Sequence, residues 1–360
     1  MTPIPPLRVA NGAQERDPGI NPAVLGDTDE EGQEETMQPT RSDRRGVLWG
    51  LSAMAGAGIL GASTTPATAQ QVKYSSGTEP PKLKVPANAC DCHHHIYGSQ
   101  YKVDPHSTLR PADATVDDYR ALQKRIGTSR NVIVQPSTYG TEDAPTLDAL
   151  VAFGPSARAV DTTVTDAELK RMHGLGARGI RFNLAQAGAT TPEMIEPLSK
   201  RVNELGWHIQ INASTATIME IMPILQKVPS PIVFDHLAHI PEPDGISHPL
   251  FAQVRALIDK GNTWVKLSGA YADTKVGPPT YSDSSAVARA YVKAAPERLV
   301  WGSDRPHPGV RDPEPKPDDA ILIDLMPIGR QTRRYATASL SVTQPSSTIL
   351  EKAKELWPGL

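Results

Sequence analysis

The chain has 360 residues, a formal net charge of −3, 21% charged and 5% aromatic residues. The length accommodates one large α/β domain with additional segments, and the charge balance excludes a basic nucleic-acid-binding surface. Its two cysteines, Cys90 and Cys92, stand one residue apart, a spacing that fits neither a zinc ribbon nor a disulfide framework.

Residues 1–40 are acidic, rich in Pro, Gly, Glu and Gln, and without hydrophobic period, which predicts a disordered extension. Residues 41–69 read as a removed export signal. Arg44-Arg45 precedes a small-residue apolar stretch from Val47 to Ala62, and Ala67-Thr68-Ala69 offers cleavage before Gln70. The arginine pair favours the twin-arginine route, with its export machinery as a partner. The mature chain is then periplasmic or secreted and has no stable membrane span. An uncleaved anchor is the alternative, and Met37 is an alternative start. Residues 70–86 form a polar linker.

From residue 87 short apolar runs alternate with helical stretches, the pattern of βαβ units on a parallel sheet. The runs are Ala87–His95, Asn131–Pro136, Ala157–Asp161, Gly179–Leu184, His208–Asn212, Ile232–His236, Trp264–Ser268 and Leu299–Asp304. Helices are predicted at Val116–Ile126, Ala144–Phe153, Asp166–Leu175 with Thr165 as N-cap, Pro192–Leu205, Ala216–Gln226, Pro249–Lys260 and Ser284–Ala294. Eight strand–helix units predict an α/β fold, a (β/α)8 TIM barrel over residues 87–328. An open doubly wound sheet is the alternative, but no Gly-rich dinucleotide turn follows any strand.

Barrel enzymes place their chemistry at the C-terminal ends of strands, and polar residues gather there. The first run ends in His93 and His95, the second in Gln135, Ser137 and Tyr139, and the third in Asp161. Arg181 and Asn183, Asn212, Asp235 and His236, Lys266 and Ser268, and Asp304 follow in turn. Within Cys90-Asp91-Cys92-His93-His94-His95, strand alternation puts Asp91, His93 and His95 on one face. Cys90, Cys92 and His94 then face outward, under the helices.

His93-x-His95, His236 and Asp304 resemble the amidohydrolase superfamily, whose members usually bind a divalent metal that activates water. A single zinc or manganese ion held by His93, His95, His236 and Asp304 is the metal-dependent reading. The resemblance also calls for a Lys or Glu at the tip of the fourth strand or a His at the tip of the fifth. Arg181, Asn183 and Asn212 occupy those places, and His208 stands at the wrong end of its strand. The surrounding motifs narrow the likeness. Asp91-Cys92-His93-His94-His95-Ile96-Tyr97-Gly98, Gln135-Pro136-Ser137-Thr138-Tyr139-Gly140, Arg178-Gly179-Ile180-Arg181-Phe182-Asn183, Asp235-His236-Leu237, Lys266-Leu267-Ser268-Gly269 and Trp301-Gly302-Ser303-Asp304 resemble the 2-pyrone-4,6-dicarboxylate lactonase-like group over residues 85–328.

That resemblance implies lactone hydrolysis with no cofactor. It casts Asp304 as general base, His93, His95 and His236 as donors to the carbonyl oxygen, and Arg181 as a carboxylate clamp. Ser137, Tyr139, Lys266 and Asn183 are further substrate-binding candidates. The group's extra Arg and Tyr clamps are replaced here by Leu109, Ala187, Asn212, His239 and Ala272, which argues against a dicarboxylate. Arg305 replaces the usual Trp and is expected at the rim. Residues 329–360 lack the family's N-P-x-x-L-Y closing segment, as a change of reading frame would produce. The reading is a hydrolase of a small-molecule lactone or related carboxylic ester. A mononuclear metal-dependent amidohydrolase or decarboxylase is one alternative, and an exported, inactive ligand-binding barrel is the other.

Overall fold

A computed structural model of the chain describes residues 71–162, 165–186, 189–308 and 316–326. The expected extension and export signal, Ala187 and the segment 329–360 lie outside the described residues. No helix among the described residues is long and apolar enough to cross a membrane.

The strands are β1 (Cys90–His94), β2 (Arg130–Val134), β3 (Ala157–Asp161), β4 (Ala177–Asn183), β5 (His208–Asn212), β6 (Ile232–Phe234), β7 (Thr263–Leu267) and β8 (Leu299–Trp301). They form one sheet in sequence order with every adjacent pair parallel. The segment after β8 closes it. His94 bridges Arg305, Asp304 N–H donates to His93 O at 2.7 Å, and His95 N–H donates to Arg305 O at 2.8 Å. The predicted (β/α)8 barrel is therefore the observed fold.

Helices cover the barrel: α1 (Val116–Ile126), α2 (Ala144–Phe153), α3 (Asp166–Leu175), α4 (Ile195–Asn203), α5 (Thr215–Leu225), α6 (Pro249–Asp259), α7 (Ala270–Asp273), α8 (Ser282–Ala294) and α9 (Asp319–Leu325). Local chemistry explains their ends. Thr115 and Asp118 make a reciprocal capping box on α1, and Gly127 ends it in the left-handed region. Thr165 caps α3 as predicted. Predicted Pro192–Leu205 splits into a 3-10 turn and α4. Ile133, Ile180, Phe182, Ile209, Phe234, Val265 and Trp301 pack with the helices in the main core. Their neighbours along each strand point inward.

Alternation fails on β1. Cys90 and Asp91 pair with Arg130 and Asn131, but His94 pairs with Ile133, so three steps on β1 match two on β2. This is a β-bulge. Cys90 and Cys92 join the inward-facing cluster of Val132, Val134, Val160 and Val300. Asp91 instead faces α1, where Tyr119 OH donates to its Oδ2 at 2.9 Å. The shared face expected for Asp91 and His93, and the outward cysteines, are therefore corrected. His94 does face outward and stacks on Tyr119 with ring centroids 3.6 Å apart.

Residues 71–86 contain no helix or strand but lie against the barrel. Val72 is buried, and Leu83 and Val85 pack on the main core. Arg125 of α1 donates to Ser75 Oγ, Ser76 O and Glu79 O and pairs with Asp318 at 2.5 Å. Leu83 N–H donates to Asp324 of α9 at 2.8 Å.

Candidate active site

The inward strand ends meet in a cavity of about 760 Å³, a size usual for small-molecule sites. Asp304 stands at its floor, three residues past β8, with a φ of 60°. Its Oδ1 lies 3.2 Å from His95 Nε2, 3.4 Å from His93 Nε2 and 3.8 Å from His236 Nε2. Tyr271 of α7 donates its hydroxyl to Oδ2. Burial alone would raise the Asp304 carboxyl, but the histidines, His236 first, hold it well below the usual range.

The histidines differ in their second partners. His95 Nδ1 is 2.7 Å from Val134 O, which assigns a proton to Nδ1 and turns Nε2 toward Asp304. His236 Nδ1 is 3.0 Å from Ser268 Oγ. Burial pushes the His236 imidazole down to about 4, against the attraction of Asp304. His93 is completely buried, and burial together with Lys266 pushes it well below its ordinary value.

Beneath them lies Asp235, just past β6. Its Oδ1 is 3.3 Å from Lys266 Nζ, and its Oδ2 is 3.2 Å from Arg181 Nη2 and accepts from Gln210 Nε2 at 3.0 Å. Burial opposes ionisation, but these cations, Lys266 first, hold the carboxyl well below its usual range. Lys266 Nζ also donates to Gln210 Oε1 at 2.7 Å and lies 3.1 Å from His93 Nδ1.

The turn after β6 is unusual. His236, Leu237, Ala238 and His239 have φ values of 45°, 57°, 60° and 48°, all left-handed. Such a conformation costs about 1–2 kcal/mol per non-glycine residue. Leu237 and Ala238 are anchored in the main core, which leaves His236 and His239 facing the cavity. Gly269 makes room: a Cβ there would stand 2.6 Å from His236 Nδ1.

The structure brings together His93, His95, His236 and Asp304, and it sets Arg181, Ser137 and Asn183 on the cavity wall. Two candidates lie elsewhere. Lys266 sits below the floor, and Tyr139 is buried with its hydroxyl bonded to Gly98 N–H at 2.9 Å and Gly98 O at 3.1 Å. Arg305 is not at the rim. It is fully buried, donates to Lys73 O at 2.9 Å and lies over the Tyr74 ring. Sequence reasoning missed Asp235 as the hub and Tyr271 as the partner of Asp304. Leu109, Asn212, His239 and Ala272, read as replaced clamps, all line the cavity.

One nitrogen each of His93 and His236 and one oxygen of Asp304 lie within 4.8 Å of one another, the ligand count of a catalytic metal site. The protonation of His93 decides whether its Nε2 is bare for a metal. Lys266 has three N–H donors, and its three near neighbours are Gln210 Oε1, Asp235 Oδ1 and His93 Nδ1. Lys266 as donor puts the His93 proton on Nε2, but Asp235 Oδ1 lies 3.2 Å from the same Nδ1 and accepts from the other tautomer, which leaves Nε2 bare for a metal.

The family described as "Amidohydrolase" matches residues 90–336. A 2-pyrone-4,6-dicarboxylate hydrolase of Comamonas testosteroni is 31% identical over 262 residues, covering 69% of this chain and 85% of that protein. A D-galactarolactone isomerase of Agrobacterium fabrum is 31% identical over 259 residues, 71% of this chain and 88% of its own. A solved apo structure from Agrobacterium tumefaciens superposes with a TM-score of 0.68 at 28% identity, over 74% of this chain and 95% of that one. With the bulged His93-x-His95 pair packed against Asp304 at the β8–β1 seam of a parallel barrel, these similarities establish that the chain belongs to the amidohydrolase family, in its 2-pyrone-4,6-dicarboxylate lactonase-like group.

Proposed function

We propose that the protein hydrolyses a lactone or a related carboxylic ester without a metal. The observation that carries this is the convergence of three imidazole nitrogens on Asp304 Oδ1 at 3.2–3.8 Å, at the floor of a cavity. The two relatives named above support the substrate class, since both names denote chemistry at a lactone.

Asp304 is ionised and takes a proton from water as the water oxygen attacks the ester carbonyl carbon. His236, whose Nδ1 faces the Ser268 hydroxyl, turns Nε2–H toward the oxygen that becomes negative. The ring C–O bond then breaks, and the leaving alkoxide takes the proton shared between Asp304 Oδ1 and His95 Nε2. The product is a hydroxy acid. His93 holds the floor in register with Lys266 and Asp235. Arg181 spends three of its five N–H groups on Asp235 and Gln135 O, which leaves two for a substrate carboxylate.

The metal-dependent alternative rests on the donors of His93, His236 and Asp304. A divalent ion there would polarise the carbonyl and acidify bound water. One experiment separates the readings: hydrolysis of a lactone and ester panel by the full chain, with and without chelator, beside Asp304→Asn. Activity is expected to survive chelation, and Asp304→Asn is expected to lower kcat about 10²- to 10⁴-fold. Turnover that requires stoichiometric zinc or manganese sinks the metal-free reading. Full activity in Asp304→Asn sinks the general base, and a panel that binds without turnover marks a binding protein.

A further inference from the structure

Away from Asp304, the cavity wall is built from the tips of β4 and β5, the turn after β6 and α7. The β4–β5 register sets Asn183 beside Asn212, and Asn212 Nδ2 donates to Asn183 Oδ1 at 2.9 Å. His239 Nε2 lies 2.9 Å from Asn212 Oδ1, and its Nδ1 lies 3.0 Å from Asp273 Oδ2. Asn183, Asn212 and His239 all face the cavity. One chain of contacts therefore fixes three polar side chains in place and ends on a carboxylate.

The chemistry of this wall is selective. Asn183 accepts from Asn212 and keeps its own amide N–H groups for a ligand. An amide array offers donors and acceptors side by side, and a hydroxyl group both donates and accepts, so the two match. A carboxylate only accepts, and here it would approach Asp273, whose charge is already engaged by the His239 ring at 3.0 Å. Among the described residues that line the cavity, Arg181 is the one permanent cation, and it already pairs with Asp235. Burying a second ligand charge beside the amide wall is costly.

We propose that the cavity recognises a lactone bearing one carboxylate, held at Arg181, and neighbouring hydroxyl groups, held along Asn183 and Asn212, which His239 positions. This rests on the lactone reading above and narrows it to polyhydroxylated acid lactones. It assigns Asn212 as the specificity-determining residue at the centre of the wall.

The test compares three probes: a sugar-acid monolactone with one carboxylate, the same lactone acid lacking hydroxyls, and 2-pyrone-4,6-dicarboxylate. Dissociation constants are measured by calorimetry on Asp304→Asn, and turnover is measured separately on the full wild-type chain. The sugar-acid lactone is expected to bind at least about tenfold more tightly than the dehydroxylated acid, the value of one or two well-made hydrogen bonds. It is also expected to outbind the dicarboxylate. Asn212→Leu should collapse the hydroxyl preference to less than about threefold. Asn183→Ala, which removes a neighbouring amide, should reduce it as well if the leucine variant does not fold. Equal or tighter binding of the dehydroxylated or dicarboxylate probe overturns the proposal, as does equal weakening of all probes in Asn212→Leu. A hydroxyl preference in binding without wild-type turnover supports this inference and overturns the hydrolase reading. Hydrolysis with no hydroxyl preference does the reverse.

Discussion

His236 is buried, bonded through Nδ1 to Ser268 and displaced in acidity to about 4. Its folded value lies below the unfolded value of about 6.5. The folded state therefore binds fewer protons than the unfolded chain between these values, and stability falls as the pH is lowered through that window. At neutral pH this ring is a neutral donor beside an ionised Asp304. The acid limb of a kcat–pH profile is accordingly expected near pH 4. A limb near that of a free imidazole, about 6.5, contradicts the buried neutral assignment. At this scale the ends of the strands were readable from residue type, because polar side chains closing apolar runs have few structural uses. The partners were not. Tyr271 reaches Asp304 only because α7 begins three residues past β7, and Asp235 became a hub because two cations and Gln210 converge on it from other strands.

Among the elements, β1 carries the most consequence. Alternation predicted the orientation of His93, His94 and His95 correctly but misplaced Asp91, Cys90 and Cys92, since a bulge adds a residue that composition does not reveal. Asp91 turns outward and accepts from Ser303 N–H at 2.9 Å and His93 N–H at 3.0 Å. It thereby pins the bulge to the segment after β8. The closure also needs Gly302, where an added Cβ would stand 2.5 Å from His93 Cβ and 3.0 Å from its backbone nitrogen. Gly302→Ala is expected to force β1 and the β8 extension apart, at a cost of about 1–3 kcal/mol and with loss of activity. Urea unfolding checks the first and lactone turnover the second. A variant of unchanged stability and activity shows that the contact is soft.

Across the whole molecule, strand order was legible because consecutive βαβ units leave one right-handed arrangement, neighbour beside neighbour. The segment 71–86 was read as a linker because it is polar and has no period. Its role is tertiary: it ties α1 to α9 through Arg125, Asp318 and Asp324 and buries Val72. Cleavage before Gln70 would leave this strap whole. Starting the chain at Ala87 instead removes it, and stability should fall by about 2 kcal/mol or more from the lost apolar burial alone. Equal urea midpoints for chains starting at Gln70 and Ala87 would show that the strap adds nothing.

The left-handed turn His236–His239 joins the two halves of the cavity. Its first residue faces Asp304 and its last stands in the amide wall, while Leu237 and Ala238 are clamped in the core between them. The turn is a short rigid bracket anchored in the core. The turn therefore fixes the spacing between the imidazole beside Asp304 and the one bonded to Asn212.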